Sequence, residues 1–123
     1  MIHFLTTKDV INIHDRMISA YGELEGYSDV GRIESIVTRI INRHAYEGEH
    51  DVYLLAAAYL LAIARGHCFN DSNKRTAFAS SVLFLCRNSV LVHFAKEHEE
   101  LTVRAAKGEL DVWEIADLLK LNG

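Results

Sequence analysis

The feature that most constrains the fold is a run of thirteen residues, 52–64, which is apolar on every face of a helix and lies between Asp51 and Arg65. A helix that spans a membrane needs about 20 apolar residues, so this run is too short to cross a bilayer. A helix that is apolar all round must be surrounded by other elements in order to leave water. The run therefore predicts the central helix of a bundle and gives no indication of a membrane partner.

Helix-start signals precede amphipathic repeats in the first part of the chain. Thr6 and Asp9 have the spacing of a capping box, and Asp29 is a suitable cap for a second helix. Apolar residues then repeat at intervals of three and four, over residues 10–21 and again over residues 33–44. Between these two helices, glycines and small polar residues predict a loop.

Three further helices are predicted after the central one. Residues 73–87 form a second buried helix, and residues 96–107 form a helix that ends at Gly108. The last helix follows Asp111, which has capping-box spacing to a glutamate. Residues 90–93 predict either a short strand or an extended connector. Because the chain has no proline, repeat or low-complexity tract, we expect a single all-α domain, residues 1–123, built from about six helices.

Composition excludes several classes of protein. Half of the 123 residues are hydrophobic and 24% are charged, a globular mixture that argues against disorder. The net charge of −4 provides no electrostatic attraction to nucleic acid or to an anionic membrane. The two cysteines form no CxxC pair, and the N-terminus lacks the pattern of a signal peptide. We therefore expect a cytoplasmic protein with no direct nucleic-acid partner.

Two of the predicted buried helices are joined by a segment with many polar and charged residues, although a connector needs few. Asn73, Lys74 and Arg75 would begin a helix, where backbone N–H groups and the positive end of the dipole attract phosphate. Asp71, just before that helix, has the right chemistry to hold Mg²⁺. His67, at the end of the preceding helix, has the right chemistry to accept a proton from an attacking hydroxyl. Together these residues predict phosphoryl transfer.

The segment that begins at His67 reads HCFNDSNKR and resembles the motif of the Fic/Doc family, specifically of its Doc branch. The similarity extends over nearly the whole chain. It implies the Fic fold and an enzyme that uses ATP and Mg²⁺. It also implies a role for each residue: His67 as general base, Asp71 as Mg²⁺ ligand, and Asn73, Lys74 and Arg75 as the residues that bind the nucleotide phosphates. His67, Asp71 and Lys74 are the predicted catalytic residues.

Departures from the commoner Fic motif determine which reaction the resemblance implies. Most Fic enzymes transfer AMP, and they have glycines where this chain has Ser72 and Lys74, and a second arginine where it has Phe78. These departures match the Doc branch. The resemblance therefore implies a kinase that transfers the γ-phosphate of ATP to a threonine of elongation factor Tu and so blocks translation. It also implies a toxin that is inhibited by the C-terminal segment of a Phd-like antitoxin bound along the bundle. AMP transfer to a protein hydroxyl is the alternative reaction.

Two other classes of protein fit parts of the sequence. Arg87, Asn88 and His93 fit the loose RNx4H pattern of helical HEPN ribonucleases, a pattern that carries little information. The non-enzymatic alternative is a corepressor that only binds an antitoxin, although no residue of the phosphoryl-transfer motif is missing. The remaining histidines have no mutual spacing typical of a metal site, and we expect them to be exposed or partly buried. They are His3, His14, His44, His50 and His98.

Overall fold

The computed structural model describes residues 1–21, 29–66, 68, 73–92 and 96–121. Within these ranges it contains helices and no strand, which confirms the predicted all-α bundle of six helices. Residues 90–92 connect two helices without forming a strand, while residue 93 lies outside the described ranges. The helices are α1 (Thr7–Tyr21), α2 (Val30–Glu47), α3 (Val52–Gly66), α4 (Asn73–Arg87), α5 (Lys96–Ala106) and α6 (Val112–Leu121).

The apolar helix α3 lies at the centre of the bundle, as its composition predicts. It packs against α2, α4, α5 and α6, and most extensively against α4. Tyr59 and Leu60, near its middle, are fully buried. Small residues on the buried side of α4, such as Ala77 and Ser80, permit close approach of a neighbouring helix. None of the helices described by the structure combines the length and the apolarity needed to cross a membrane.

The predicted helix ends form as hydrogen-bonded caps. At α1 the Asp9 N–H donates to Thr6 Oγ1 over 3.1 Å, and the Thr6 N–H donates to Asp9 Oδ2 over 2.8 Å. At α6 the Glu114 N–H donates to Asp111 Oδ1 over 2.8 Å, and the Asp111 N–H donates to Glu114 Oε1 over 3.2 Å. Each pair satisfies two N–H groups that a helix cannot satisfy internally. Gly108 follows α5 with a φ of 79°, as expected of a residue that ends a helix.

The buried face of α1 differs from the predicted one in its second half. Val10 and Ile13 are buried as expected, but His14 and Ile18 then face the core, while Met17 is only half-buried. His14 is 3% exposed, so the expectation that it is exposed or partly buried was wrong. The apolar stripe alone could not show this, because a histidine does not stand out as a core residue in a periodic pattern.

A set of bonds that we call the terminal bridge (His3, Asp9, Arg87 and Asn88) attaches the N-terminal segment to the C-terminal end of α4. Arg87 Nη1 and Nη2 donate to the two carboxylate oxygens of Asp9 over 2.7 and 3.0 Å. The Asn88 side chain donates to the His3 carbonyl over 2.9 Å and accepts from the His3 N–H over 2.8 Å. The bond to Arg87 holds the pKa of Asp9 well below its ordinary value. The bridge therefore fixes the start of the chain against α4.

Candidate active site

The predicted site lies in the sequence between the end of α3 and the first turn of α4. These two helices pack together more extensively than any other pair. Of the five predicted site residues, Asn73, Lys74 and Arg75 are described, and they form the start of α4 as the sequence predicted. His67 and Asp71 lie outside the described residues. Their roles as general base and Mg²⁺ ligand therefore stay predictions.

The first turn of α4 presents two cationic side chains at the positive end of the helix. Lys74 and Arg75 are exposed, and Asn73 is half-buried. This turn contains no acidic residue, whereas the first turn of α6 contains Glu114. The first four N–H groups of a helix have no partner within it, and this end of the helix carries a partial positive charge. The start of α4 is therefore suited to bind an anion such as phosphate.

Two hydrogen bonds join the start of α2 to the backbone of Gly66 and Cys68, the residues on either side of His67 in the sequence. Arg32 Nη1 donates to the Gly66 carbonyl over 2.5 Å, and the Asp29 N–H donates to the Cys68 carbonyl over 2.6 Å. The Asp29 carboxylate also caps α2, because it accepts from the Arg32 N–H over 3.0 Å. The same carboxylate lies 3.7 Å from Arg32 Nε. Both chain neighbours of the predicted base are therefore attached to α2.

Close packing supports this part of the backbone. A Cβ atom on Gly66 would lie 3.2 Å from Ile36 Cδ1 and 3.3 Å from Cys68 Sγ, so a larger residue at position 66 would displace its neighbours. Cys68 is fully buried, and burial raises the pKa of its thiol. A thiol that is held neutral and away from solvent is a poor nucleophile. Cys68 is therefore a packing residue.

Arg65, the penultimate residue of α3, extends to the turn between α5 and α6. A Cβ atom on Gly108 would lie 3.4 Å from Arg65 Nη2, so the guanidinium lies directly against this turn. The left-handed φ of Gly108 already favours glycine at that position. Arg65 thus connects the end of the central helix to the turn that follows α5.

The residues of the alternative ribonuclease pattern have structural partners in this fold. Arg87 bonds to both oxygens of Asp9, and Asn88 bonds to the backbone of His3. Along α4 they lie about 20 Å from the Asn73 end, at 1.5 Å per residue. His93, the third residue of the pattern, lies outside the described ranges. The terminal bridge therefore accounts for Arg87 and Asn88 without a nuclease function.

No local sequence signal selects Arg32, because its partner Gly66 is 34 residues away in the chain. In the sequence pattern Arg32 resembles Arg39 and Arg43, which lie on the same helix. No capping, periodicity or motif argument distinguishes these three arginines. Only the packing of α2 against α3 shows that Arg32 reaches the end of α3.

Comparisons with known proteins identify the family of this chain. A family model described as the Fic/DOC family matches residues 4–85, which include the whole segment that joins α3 to α4. The protein named "Protein kinase doc" from Escherichia phage P1 is 49% identical over 116 residues, which cover 94% of this chain and 92% of that relative. The family predicted from the motif is therefore confirmed, and this chain belongs to the Fic/DOC family.

Proposed function

We propose that this chain is the toxin of a toxin–antitoxin module, a kinase that transfers the γ-phosphate of ATP to a threonine hydroxyl of elongation factor Tu and thereby blocks translation. The enzyme is a protein kinase of the Fic/Doc type, the activity for which its phage P1 relative is named. The observation that carries the proposal is the pair of exposed cations, Lys74 and Arg75, in the first turn of α4. A cationic helix N-terminus is suited to hold the phosphates of a nucleotide.

The chemistry of each side chain supports a separate task. Asn73, Lys74 and Arg75 would bind the phosphates of ATP, with the guanidinium able to hold two phosphate oxygens at once. His67 would accept the proton of the threonine hydroxyl as its oxygen bonds to the γ-phosphorus and ADP leaves. Mg²⁺, held by Asp71, would neutralise negative charge on the phosphates.

The described residues contain no group of three or more His, Cys, Asp or Glu side chains that could hold a metal by themselves.

Lys74 supports γ-phosphate transfer over AMP transfer. In the AMP-transferring branch of the family a glycine at this position leaves space for the phosphate chain to enter the helix N-terminus. A lysine side chain fills that space and provides a cation for the terminal phosphates. Phe78, one turn further along α4 and half-buried, replaces an arginine that would hold the deeper phosphates. The nucleotide should therefore bind reversed, with its γ-phosphate toward His67.

Two labelled nucleotides test the proposal. The protein, Mg²⁺ and elongation factor Tu are incubated in parallel with α-labelled and γ-labelled ATP, and the His67→Ala variant controls for label that is bound without transfer. Label retained on the target only from γ-labelled ATP supports the kinase. Retention from α-labelled ATP would show AMP transfer. RNA cleavage without ATP would indicate the ribonuclease, and no activity of any kind would indicate the binding module.

The proposal includes a partner and a location. The C-terminal segment of a Phd-like antitoxin would bind along the bundle, where exposed apolar side chains such as Tyr46, Leu91 and Trp113 leave surface for a partner to cover. We place the chain in the cytoplasm, with residues 1–123 acting as one domain and with no direct nucleic-acid or membrane partner. The antitoxin peptide should raise the melting temperature by mass action, and a peptide of scrambled sequence should not. No shift with the antitoxin peptide would contradict this part of the proposal.

A further inference from the structure

We propose that Arg32 is a positioning residue for the transfer reaction: from the first turn of α2 it fixes the end of α3, and so the backbone from which His67 extends. The kinetic test of this inference rests on the proposed function. Its geometry rests only on contacts between described residues.

The end of α3 needs a hydrogen-bond donor from outside the helix. The last four carbonyls of an α-helix have no partner within it, and Gly66 is the last residue of α3. Its carbonyl accepts from Arg32 Nη1 over 2.5 Å. A cation at this end is also favoured by the helix dipole. Because His67 is the next residue, the bond holds the covalent neighbour of the proposed base.

A second bond holds the chain on the other side of His67. The Asp29 N–H donates to the Cys68 carbonyl over 2.6 Å, and the Cys68 side chain is fully buried in the core. The Asp29 carboxylate lies 3.7 Å from Arg32 Nε, where it helps to orient the guanidinium. Asp29, the cap of α2, and Arg32, in its first turn, thus hold the backbone at both neighbours of His67.

Because Arg32 is exposed, its effect on turnover can be distinguished from its effect on stability. Its side chain is 51% exposed, and ion pairs this exposed contribute little to the free energy of unfolding. A displacement of a reacting group by about 1 Å, in contrast, can lower a rate by about 100-fold. Loss of Arg32 should therefore affect turnover more than stability.

Three variants test this expectation: Arg32→Ala, Arg32→Lys and, as a matched control, Arg39→Ala, an exposed arginine on the same helix. Arg32→Ala should lower kcat by about 10- to 100-fold, with the KM for ATP changed by less than about twofold. Arg32→Lys should recover part of kcat, because an ammonium group can still donate to the Gly66 carbonyl. Arg39→Ala should match the wild type. An unchanged kcat in Arg32→Ala would overturn the inference, even if its melting temperature fell.

Hydrogen exchange separates failure of this inference from failure of the proposed function. The backbone amides of residues 64–70 should exchange faster in Arg32→Ala than in the wild type or in Arg39→Ala, whatever reaction the protein performs. A wild type that transfers no γ-phosphate would refute the proposed function but leave this measurement intact. Unchanged exchange in residues 64–70 would overturn the role of Arg32 by itself.

Discussion

The two ends of α4 carry basic residues for different reasons. At the C-terminal end, Arg87 lies where the helix dipole favours a cation, and it bonds to both carboxylate oxygens of Asp9. At the N-terminal end, Lys74 and Arg75 lie where the dipole opposes a cation, in a first turn without an acidic residue. The folded chain explains Arg87. The N-terminal cations weaken the isolated helix, and we propose that they bind the phosphates of the nucleotide.

The largest expected effect is on activity, at His67, which precedes α4 in the sequence. His67→Ala should lower the rate of phosphate transfer by about 10²- to 10⁴-fold through loss of the proposed general base, and should relieve growth arrest when the protein is expressed alone. Single-turnover transfer and growth after induction measure these effects. His3→Ala is the control near the opposite end of α4, where only backbone atoms of His3 take part in the terminal bridge. A folded His67→Ala variant that is equally toxic would refute the assigned mechanism.

The next effect is on stability, at the C-terminal end. Arg87→Met should lower the free energy of unfolding by about 1–2 kcal/mol, because it removes two charge-assisted hydrogen bonds to Asp9. The expected change is smaller than two buried hydrogen bonds between charged groups would give, because the two side chains are 38% and 21% exposed. Urea denaturation measures the change, with Arg39→Ala as the control, and kcat should match the wild type. Loss of transfer in a fully folded Arg87→Met protein would remove the distinction between the two ends.

The same pair predicts a dependence of stability on pH. The bond from Arg87 lowers the pKa of Asp9 in the folded state from its ordinary value of 3.8. A carboxyl group whose pKa is lowered by folding stabilises the fold at pH values above its ordinary pKa. This stabilisation is lost as the pH falls below that pKa. Between about pH 4 and pH 2 the wild type should therefore lose stability more steeply than Asp9→Asn, which keeps a capping side chain. Equal slopes for the two proteins would show that the pair does not control acid unfolding.

The smallest expected effect distinguishes the contribution of the helix dipole to stability from that of a bound ligand. Lys74→Gln should raise the free energy of unfolding by about 0.3–1 kcal/mol, because it removes a cation from the positive end of α4. Lys8→Gln is the matched control, since Lys8 is the second residue of α1 as Lys74 is of α4. Both variants should be stabilised, but only Lys74→Gln should lose part of the rise in melting temperature caused by ATP. An undiminished shift with ATP in Lys74→Gln would contradict a phosphate site at α4.

Whether a feature of the fold or of the site could be predicted depends on how far apart in the sequence its residues lie and on whether its residue types fit a known pattern. The helix start at Asn73 and the cations of its first turn follow from residues that are adjacent in the chain, and the structure confirms that start. The buried position of His14 was missed because apolar periodicity does not count a histidine as a core residue. Arg32 was missed because its partner is distant in sequence.

The sequence by itself determined the helices, their caps and the family. A capping box acts over three residues and an amphipathic repeat over a few turns, so both are complete within short segments. The tertiary structure alone decided which arginines form hydrogen bonds between distant parts of the chain. Arg32 meets Gly66 across 34 residues, and Arg87 meets Asp9 across 78. A local pattern cannot show such pairs, because the packing of α2 against α3, and of α1 against α4, brings their atoms within hydrogen-bonding distance.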